Sequence, residues 1–568
     1  MLEIMKHFRL SLFAVLVAVS PVWAEEPLNG KAEPFKGKAE HVVLVVWDGM
    51  RPDFVRADTT PVLDALAKRG TFFADQHSVY VTSTEVNGTA IATGCYPMHN
   101  GILANVEFRP DIHPYHPVAM ESAETCKKGD EVREGKYIRV PTLAEIIQQA
   151  GQRTVVAGTK SVALLHDRSP NRPEQNASTI LFAGKAYPAS ALEPIVAALG
   201  KFPPPPGGAQ PKAPAMEKAA GDVPANAPAA PATTAEKIVS AVPTPVRGVP
   251  PSPNTAQNGW TTRALVEELW REGIPRFTTL WLGDPDFSQH MTQPGSPVAL
   301  AAIRDSDNEL GMVIAALQKK GVLDKTDIFV VSDHGFSTTD GGMDLGTRMN
   351  KAGFHIVRGY HKTPMPGEIL QVSLGGSIQF YVPNHDAEWV QKLVAFLQAS
   401  DFAGPIFTRS ELPGTFPLSA ARIETPDSPD VIFSIRWTNA KNINGTRGIF
   451  KSEGQVGGNG VHASLSRYDI HNTLVAAGPD IRAGFRDPLP TANVDVAPTI
   501  LHLLGIPGGD KMDGRVLFEA LPAVDFHAPK PETKTIEARA GKWRQYLKIT
   551  TLGDRTYLDE GNAGAPTK

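Results

Sequence analysis

Acidic and histidine side chains follow three apolar runs in this 568-residue sequence, and their residue types suit a site that binds metal ions. They are Asp48 after the run 41–47, Asp286 and His290 after 276–282, and Asp333 and His334 after 328–331. A carboxylate or an imidazole is costly beside an apolar interior unless a cation or another partner compensates it. Aspartate and histidine are ligands that zinc and similar transition ions accept. Each residue alone could be a turn or capping residue, but the set as a whole predicts a metal centre.

A further histidine that could complete this centre lies late in the chain. His462 stands in a loop flanked by glycine, just before the strand-like run 472–477. His471 could take its place, but it opens that run. We therefore expect His462 to be the ligand, with His471 as the alternative.

An alternation of strands and helices along the chain must position these residues. Buried-strand patterns occur at 41–47, 276–282, 328–331 and 378–382, and helical patterns at 61–68, 298–320 and 388–398. This alternation predicts an α/β sandwich with a mostly parallel central sheet flanked by helices. Because ligands bind at the carboxyl ends of the strands in such sheets, the acids and histidines are expected at one edge.

The first 24 residues have the pattern of a signal peptide. Lys6 and Arg9 precede the apolar run 10–19, which is short for a bilayer span, and Ala24 ends a small-residue cleavage site. We expect cleavage after Ala24, a periplasmic or secreted mature protein, and no membrane contact after cleavage. A retained N-terminal anchor is the alternative.

The composition is that of a globular protein with one unusual segment. The net charge of -4 and the hydrophobic content of 42% predict no basic surface for nucleic acid. Residues 203–258 are rich in Pro and Ala and cannot build a core, which predicts a flexible insertion. Cys95 and Cys126 could form one disulfide or remain two buried thiols.

Six motifs occur in the order VVWDGMRPDF, TSTEVNGTAIATGCYPMHNGI, DPDFSQH, SDHGF, GVHAS and NVDVAPTILHLLGI. They resemble the motifs of the alkaline phosphatase superfamily and are most similar to its type I phosphodiesterase/nucleotide pyrophosphatase branch. The resemblance runs from about Val42 to Phe518 and implies an alkaline phosphatase-like catalytic domain over 40–522, with insertions. Residues 341–454 match weakly and are expected to determine substrate specificity. The extension 523–568 includes a predicted β-hairpin.

The resemblance implies two zinc ions per chain that act on a small-molecule phosphoester. One zinc would be held by Asp286, His290 and His462, and the other by Asp48, Asp333, His334 and the hydroxyl of Thr84. Thr84 would be the nucleophile, although Thr82 and Ser83 compete for that role, and it would pass through a phosphothreonine intermediate. Asn87 would donate its side-chain N–H to a phosphate oxygen.

Two departures from the diesterase pattern bear on the substrate. Glu85 stands where an aromatic residue usually follows the nucleophile, and Gly88 replaces a histidine, which argues against stacking of a nucleobase. No Lys or Arg occurs between Tyr80 and Phe108. With Glu85 as a negative charge, this predicts a preference for monoanionic diesters over dianionic monoesters. Arg51, or an arginine from 341–454, is the alternative that could supply the missing positive charge.

Other functions fit the same resemblance less well. A phosphomonoesterase and a phosphonate hydrolase share the superfamily. A sulfatase would need a modifiable Cys or Ser, where this chain has Thr84. A non-catalytic protein that holds metal would have little reason to keep both the nucleophile and the ligand set.

Overall fold

The structure is a computed structural model that describes residues 37–169, 178–208, 251–522, 524 and 526–564. The predicted signal peptide and residues 209–250 of the predicted insertion lie outside the described residues.

The strands in the first half of the described chain are β1 His41–Trp47, β2 Thr71–His77, β3 Val106–Glu107, β4 Val118–Ala119, β5 Thr154–Gly158, β6 Ser178–Phe182, β7 Lys185–Tyr187, β8 Phe277–Leu282, β9 Thr326–Val331, β10 Ser337–Met343, β11 His355–Val357 and β12 Glu368–Ser373. Those that follow are β13 Ser377–Tyr381, β14 Ala403–Thr408, β15 Phe416–Pro417, β16 Val431–Ile435, β17 Trp437–Lys441, β18 Arg447–Glu453, β19 Gly460–Val461, β20 Leu474–Ala477, β21 Phe485–Ala492, β22 Glu532–Ala540, β23 Trp543–Leu552 and β24 Arg555–Ala563.

The helices are α1 Pro61–Arg69, α2 Thr84–Thr93, α3 Pro97–Asn100, α4 Ala123–Val132, α5 Leu143–Gln149, α6 Leu192–Leu199, α7 Thr255–Arg263, α8 Asp286–Met291, α9 Pro297–Lys319, α10 Leu345–Lys351, α11 Ala387–Gln398, α12 Arg467–Ile470 and α13 Val496–Leu504. A π-helical turn, Ala264–Leu269, continues α7.

A nine-stranded sheet forms the centre of the molecule, in the order β21-β2-β20-β9-β1-β8-β5-β6-β7. Strands β20 and β7 run antiparallel to their neighbours, and the other pairings are parallel. This confirms the α/β sandwich with a mostly parallel central sheet that the sequence predicts.

Strand β1 shows why its sequence is apolar at every position from Val42 to Trp47. Val42, Leu44 and Val46 join a core on one face of the sheet, which includes residues of α5 and α13. The alternate residues of β1 join a second core, which includes residues of α1 and α9 on the other face. A strand buried on both faces has no side chain directed to solvent, so its apolar run is continuous.

Residues 341–454, with the flanking strands β10 and β19, build two further sheets. A six-stranded sheet has the order β11-β12-β13-β16-β14-β15, and a four-stranded sheet has the order β17-β18-β10-β19. The C-terminal strands form a third sheet, β22-β23-β24, and pack on these sheets. The Trp437 indole N–H donates to the Gly561 carbonyl at 2.7 Å, and the Asn562 amide donates to the Trp437 carbonyl at 2.8 Å.

Several sequence predictions can be compared with these elements. The C-terminal hairpin is present as β23 and β24, and β22 adds a third strand to it. Helix α7 begins at Thr255 and buries Asn258, so the last four residues of the predicted insertion are helical. Cys95 and Cys126 are two buried free thiols, which is the second of the two alternatives. Among the described helices, none combines the length and apolar character that a bilayer span needs.

Candidate active site

Four neighbouring parallel strands, β9, β1, β8 and β5, end at the same edge of the central sheet. Asp48 directly follows β1, and Asp333 and His334 follow β9. Asp286 opens the short helix α8 after β8, and His290 lies one turn further along that helix. The rule that functional groups gather at the carboxyl ends of parallel strands therefore holds for this sheet.

One group of side chains at this edge consists of Asp286, His290 and His462. The Oδ1 atom of Asp286 lies 3.2 Å from Nε2 of His290 and 3.4 Å from Nε2 of His462. The two Nε2 atoms are 3.1 Å apart. His462 reaches the group from the loop after β19, as predicted, whereas His471 lies beside Asp75 in a different cluster.

A second group consists of Asp48, Asp333 and His334. Nε2 of His334 lies 3.3 Å from Oδ2 of Asp333 and 3.6 Å from Oδ1 of Asp48. Ligand atoms of Asp286, His334 and His462 also lie within 4.8 Å of one another, so His334 stands between the two groups. Its short distances to Asp333 and Asp48 place it in the second group.

The three histidine rings are held in one orientation by backbone carbonyls. Each Nδ1 atom contacts a carbonyl oxygen, which can only accept, so Nδ1 must carry the proton. The carbonyls are those of Gly335 for His334 (2.8 Å), Gly460 for His290 (3.1 Å) and Thr82 for His462 (2.9 Å). All three Nε2 atoms are left with lone pairs that face the acids. The Nε2 atoms of His290 and His462 are 3.1 Å apart, and two lone pairs at this distance repel each other unless a cation lies between them.

The carboxylates show the same need for a cation. Asp48 Oδ1, Asp286 Oδ1 and Asp333 Oδ2 are buried and accept no hydrogen bond from the described part of the chain. Burial, and then the charges of Asp286 and Asp333, raise the pKa of Asp48 well above its ordinary value, and burial raises the pKa of Asp333 to about 7. A buried carboxylate oxygen without a partner is costly, so these three oxygens fit ligands of metal ions.

The hydroxyl of Thr84 lies against the second group. Thr84 is the first residue of α2, it is 4% exposed, and its Oγ1 is 3.4 Å from Nε2 of His334. The competing hydroxyl of Thr82 donates to the Ser464 carbonyl at 2.8 Å. The Ser83 hydroxyl is buried and has no hydrogen-bond partner among the described residues. The geometry therefore favours Thr84 over Thr82.

The structure contradicts the prediction that Asn87 donates to a bound phosphate. Its amide nitrogen donates to three carbonyl oxygens, at 3.1 to 3.2 Å, and its oxygen accepts from the Val79 N–H at 2.7 Å. Asn87 is fully buried. It therefore holds the turn that precedes α2, and its side chain does not face the site.

Asn105 lies beside the start of α2. Its Oδ1 atom accepts from the backbone N–H of Glu85 at 3.2 Å, next to the nucleophile. Its amide nitrogen makes no hydrogen bond to any described residue and belongs to a half-buried side chain. Asn105 lies 21 residues after Thr84 in the sequence, beyond the range of a local motif. A chain reversal that only the fold reveals brings it back to the start of α2.

Lys160 is the second residue that sequence reasoning missed. Its Nζ atom lies 2.7 Å from Oδ2 of Asp48 and 2.6 Å from Oδ2 of Asp286, so it joins one acid from each group. Burial raises the pKa of Asp286, but the charges of Lys160 and then His290 outweigh burial and hold this pKa well below its ordinary value. Lys160 follows β5 by two residues. The strand-end rule would have found it if β5 had been recognised in the sequence.

These observations bear on the charge argument for the predicted diester preference. The first premise was a site without a nearby cation, and Lys160 supplies one. The second was a negative charge on Glu85. Burial, and then the neighbouring Glu121 carboxyl, raise the pKa of Glu85 well above its ordinary value, and neither of its oxygens has a partner among the described residues. Local charge therefore favours diesters less than the sequence alone indicates, and the diester preference stays a prediction.

The sheets built by 341–454 reach the site through the His462 loop. The N–H of Gly376 donates to the His462 carbonyl at 2.8 Å, and the Ser377 hydroxyl donates to the Ala463 carbonyl at 2.5 Å. A Cβ atom on Gly376 would lie 2.7 Å from that His462 carbonyl oxygen, so glycine is needed for this close approach. These contacts position the loop, and the specificity role of residues 341–454 stays a prediction.

Comparison with known proteins gives a match over most of the chain. A sequence model of the family described as type I phosphodiesterase/nucleotide pyrophosphatase matches residues 42–446. Human ectonucleotide pyrophosphatase/phosphodiesterase family member 1 is 31% identical over 96 residues, which are 16% of this chain and 10% of that protein. Arylsulfatase K of Danio rerio is 34% identical over 68 residues, which are 12% of this chain and 13% of that protein. The aligned parts thus span only a small share of these curated relatives.

A solved structure shows the same fold over a greater length. Human ectonucleotide pyrophosphatase/phosphodiesterase 5 superposes with a TM-score of 0.53 at 15% identity, covering 85% of this chain and 100% of that chain. The likeness is one of fold, and the family match covers more than half of the sequence. The chain therefore belongs to the type I phosphodiesterase/nucleotide pyrophosphatase family.

Proposed function

We propose that this protein is an exported phosphoester hydrolase of the phosphodiesterase/pyrophosphatase type, with two zinc ions and Thr84 as its nucleophile. Membership of the family supports the reaction class. The observation that carries the rest is the set of buried carboxylate oxygens and histidine Nε2 atoms that face one another beside the Thr84 hydroxyl. The signal-peptide pattern of the first 24 residues supports export to the periplasm or the exterior.

The two groups of side chains would each hold one ion. Asp286, His290 and His462 form the first ligand set. Asp48, Asp333 and His334 form the second, to which the Thr84 hydroxyl belongs. When bound, the ions would supply positive charge that lowers the pKa of a hydroxyl or water ligand and stabilises developing oxyanions.

The chain's own residues would carry out the group transfer. Oγ1 of Thr84 attacks the phosphorus, the bond to the leaving alcohol or phosphate breaks, and a phosphothreonine forms. Water then attacks the phosphothreonine and releases the phosphoryl product, which regenerates the hydroxyl. The start of α2 adds a positive helix end beside the phosphoryl group. With every histidine of the site oriented as a ligand, no separate histidine base is assigned.

Two further side chains would contact or orient the substrate. The amide nitrogen of Asn105 is the neutral donor beside Thr84 and would bind a phosphoryl oxygen. Lys160 contacts Oδ2 of Asp48 and of Asp286, whereas Oδ1 of each acid faces the histidines. It can therefore stay in place while both acids bind ions through Oδ1.

Metal analysis and turnover test this function together. We expect two transition ions at the two ligand sets, loss of hydrolysis on chelation, and recovery when zinc is added back. Asp333→Ala and His462→Ala each remove one ligand of a different set, so each should lose metal and activity. Activity that survives complete removal of metal would contradict the proposal.

A substrate panel tests the reaction class. Nitrophenyl phosphodiesters, nucleotide pyrophosphates, phosphate monoesters, phosphonates and aryl sulfates should be compared at equal enzyme concentration. We expect turnover of diesters or pyrophosphates, as in the name of the family. A sulfatase would need a Cys or Ser in place of Thr84, so hydrolysis of sulfates alone would overturn the assignment.

A further inference from the structure

A second cluster of metal-ligand residues lies away from the active site, and we call it the β2 cluster. It consists of Asp75 and His77 on β2, His471 at the end of α12, and Asp559 on β24. Asp75 and His77 are two residues apart on one strand, so both project from the same face. His77 and His471 form an isolated antiparallel bridge, and their ring centroids are 4.6 Å apart. Residues far apart in sequence thus meet at one point.

Ligand atoms of Asp75, His77 and His471 all lie within 4.8 Å of one another, and Asp559 joins the β2 cluster through His77. The separations are close to those of the two active-site groups. Oδ1 of Asp75 lies 3.7 Å from Nε2 of His77 and 3.6 Å from Nδ1 of His471, and Oδ1 of Asp559 lies 3.1 Å from Nε2 of His77. A tetrahedral zinc with ligands at about 2.0–2.1 Å separates its ligand atoms by about 3.3 Å. The active-site groups have separations of 3.1 to 3.6 Å.

Outer contacts orient two of these side chains as ligands. Nδ1 of His77 contacts the Thr491 carbonyl at 2.8 Å, so Nδ1 carries the proton and Nε2 is directed into the cluster. The Thr550 hydroxyl donates to Oδ2 of Asp559 at 2.9 Å, which leaves Oδ1 facing His77. Carbonyl contacts of this kind also orient the active-site histidines, and such outer contacts are typical of metal sites.

We propose that the β2 cluster binds one zinc ion, which clamps the C-terminal sheet to the central sheet. Two carboxylates offset the charge of one divalent cation, and two imidazoles add neutral donors that zinc accepts. The side chains of Asp75 and His471 are 37% and 29% exposed, so an ion can enter from solvent.

The clamp gives the C-terminal sheet a role. Asp559 is the only one of the four ligands that comes from β22–β24, and the rest come from the main body of the chain. His77 lies seven residues before Thr84, so the same ion would fix the strand that leads to the nucleophile. The alternative is an ion pair without metal. Burial lowers the pKa of His77, but the hydrogen bond to Asp559 and the charge of Asp75 raise this pKa to about 9, which would suit such an ion pair.

The test counts metal in the full chain and in cluster variants. Purified wild type is equilibrated with Zn²⁺, freed of loose ions, and analysed for metal per chain, and His471→Gln and Asp75→Asn are treated identically. We expect each variant to hold one ion fewer than wild type and to retain turnover. Because the result is a difference of one ion, it does not depend on how many ions the active site holds. Equal counts in wild type and both variants would overturn the proposal.

A matched control and a second measurement keep the result clear. His99→Gln removes a histidine that contacts a single acid, Asp513, at 2.8 Å, and should leave the metal count unchanged. Hydrogen exchange should be faster in β24 for the two cluster variants and unchanged for His99→Gln. Faster exchange without any loss of metal would identify an ion pair alone and would also overturn the proposal. For wild type, titration of the metal-free chain with Co²⁺ should give a visible-band component that His471→Gln lacks.

Discussion

Replacement of Lys160 by Met should separate substrates by charge. The ammonium of Lys160 lies 2.6 to 2.7 Å from one acid of each ligand set, and the side chain is 27% exposed. Methionine keeps most of the length of the side chain and removes its charge. A phosphate monoester carries one more negative charge than a diester, so the loss of a nearby cation should affect monoesters more.

The size of this difference follows from Coulomb's law. Two unit charges about 6 Å apart at an effective dielectric constant of about 20 interact by about 3 kcal/mol. Solvent around the partly exposed Lys160 side chain reduces this value, which leaves about 1–3 kcal/mol. We therefore expect Lys160→Met to lower kcat/KM for the monoester by about fivefold to 150-fold more than for the diester.

The assay is a comparison of kcat/KM for a nitrophenyl monoester and the matching methyl nitrophenyl diester. Wild type, Lys160→Met and Lys68→Met are measured with their metal content. Lys68 pairs with Asp64 on the surface, its side chain is 71% exposed, and its replacement should leave both rates unchanged. If Lys160→Met keeps its metal and both substrates lose activity equally, Lys160 does not act on substrate charge. If the variant loses metal, Lys160 serves instead to hold Asp48 and Asp286.

The remaining predictions concern the nucleophile, the ligands and a buried acid. Thr84→Ala should keep the fold and most of the metal while turnover falls by about three orders of magnitude or more, and Ser83→Ala should retain activity. If Ser83→Ala is the inactive variant, the nucleophile has been assigned wrongly. His462→Ala should lose at least one metal ion, measured by metal analysis, because it removes a ligand of the first set. Burial, and then Asp480, raise the pKa of Asp327 to about 8. An acid whose folded pKa exceeds its unfolded value destabilises the protein as pH rises between the two values, so Asp327→Asn should raise Tm more at pH 8 than at pH 5. An equal effect at both values would refute this.

The fold could be predicted because its strands are buried on both faces. A short, continuous apolar run such as 41–47, bounded by polar residues, suits a strand that is covered by helices on either side. Polar residues directly after such a run must lie at the end of the strand. Asp48 and Asp333 follow runs of this kind, Asp286 follows a strand that also contains threonine, and the structure brings their side chains together with the predicted histidines. What the pattern could not give was the direction of each side chain.

Asn87 shows the cost of reasoning from spacing alone. It lies three residues after Thr84, so helical geometry places it near the nucleophile, but its amide turns inward to three carbonyls. The side-chain amide that contacts the backbone next to Thr84 belongs to Asn105, which arrives through a chain reversal. Lys160 was missed for a different reason. Strand β5 is only five residues long and is followed by Thr159, so its end carries no acid or histidine to draw attention.

His462 and His471 were the two alternatives for one metal ligand, and the structure shows why they have different acidic partners. His462 and His471 are nine residues apart, and each meets an acid and another histidine. His462 joins Asp286 because the Thr82 carbonyl fixes its ring. His471 joins Asp75 because its backbone bridges His77. In both cases a backbone contact brings the histidine to its acid. A choice between the two histidines therefore requires the pairing of strands as well as the residue types.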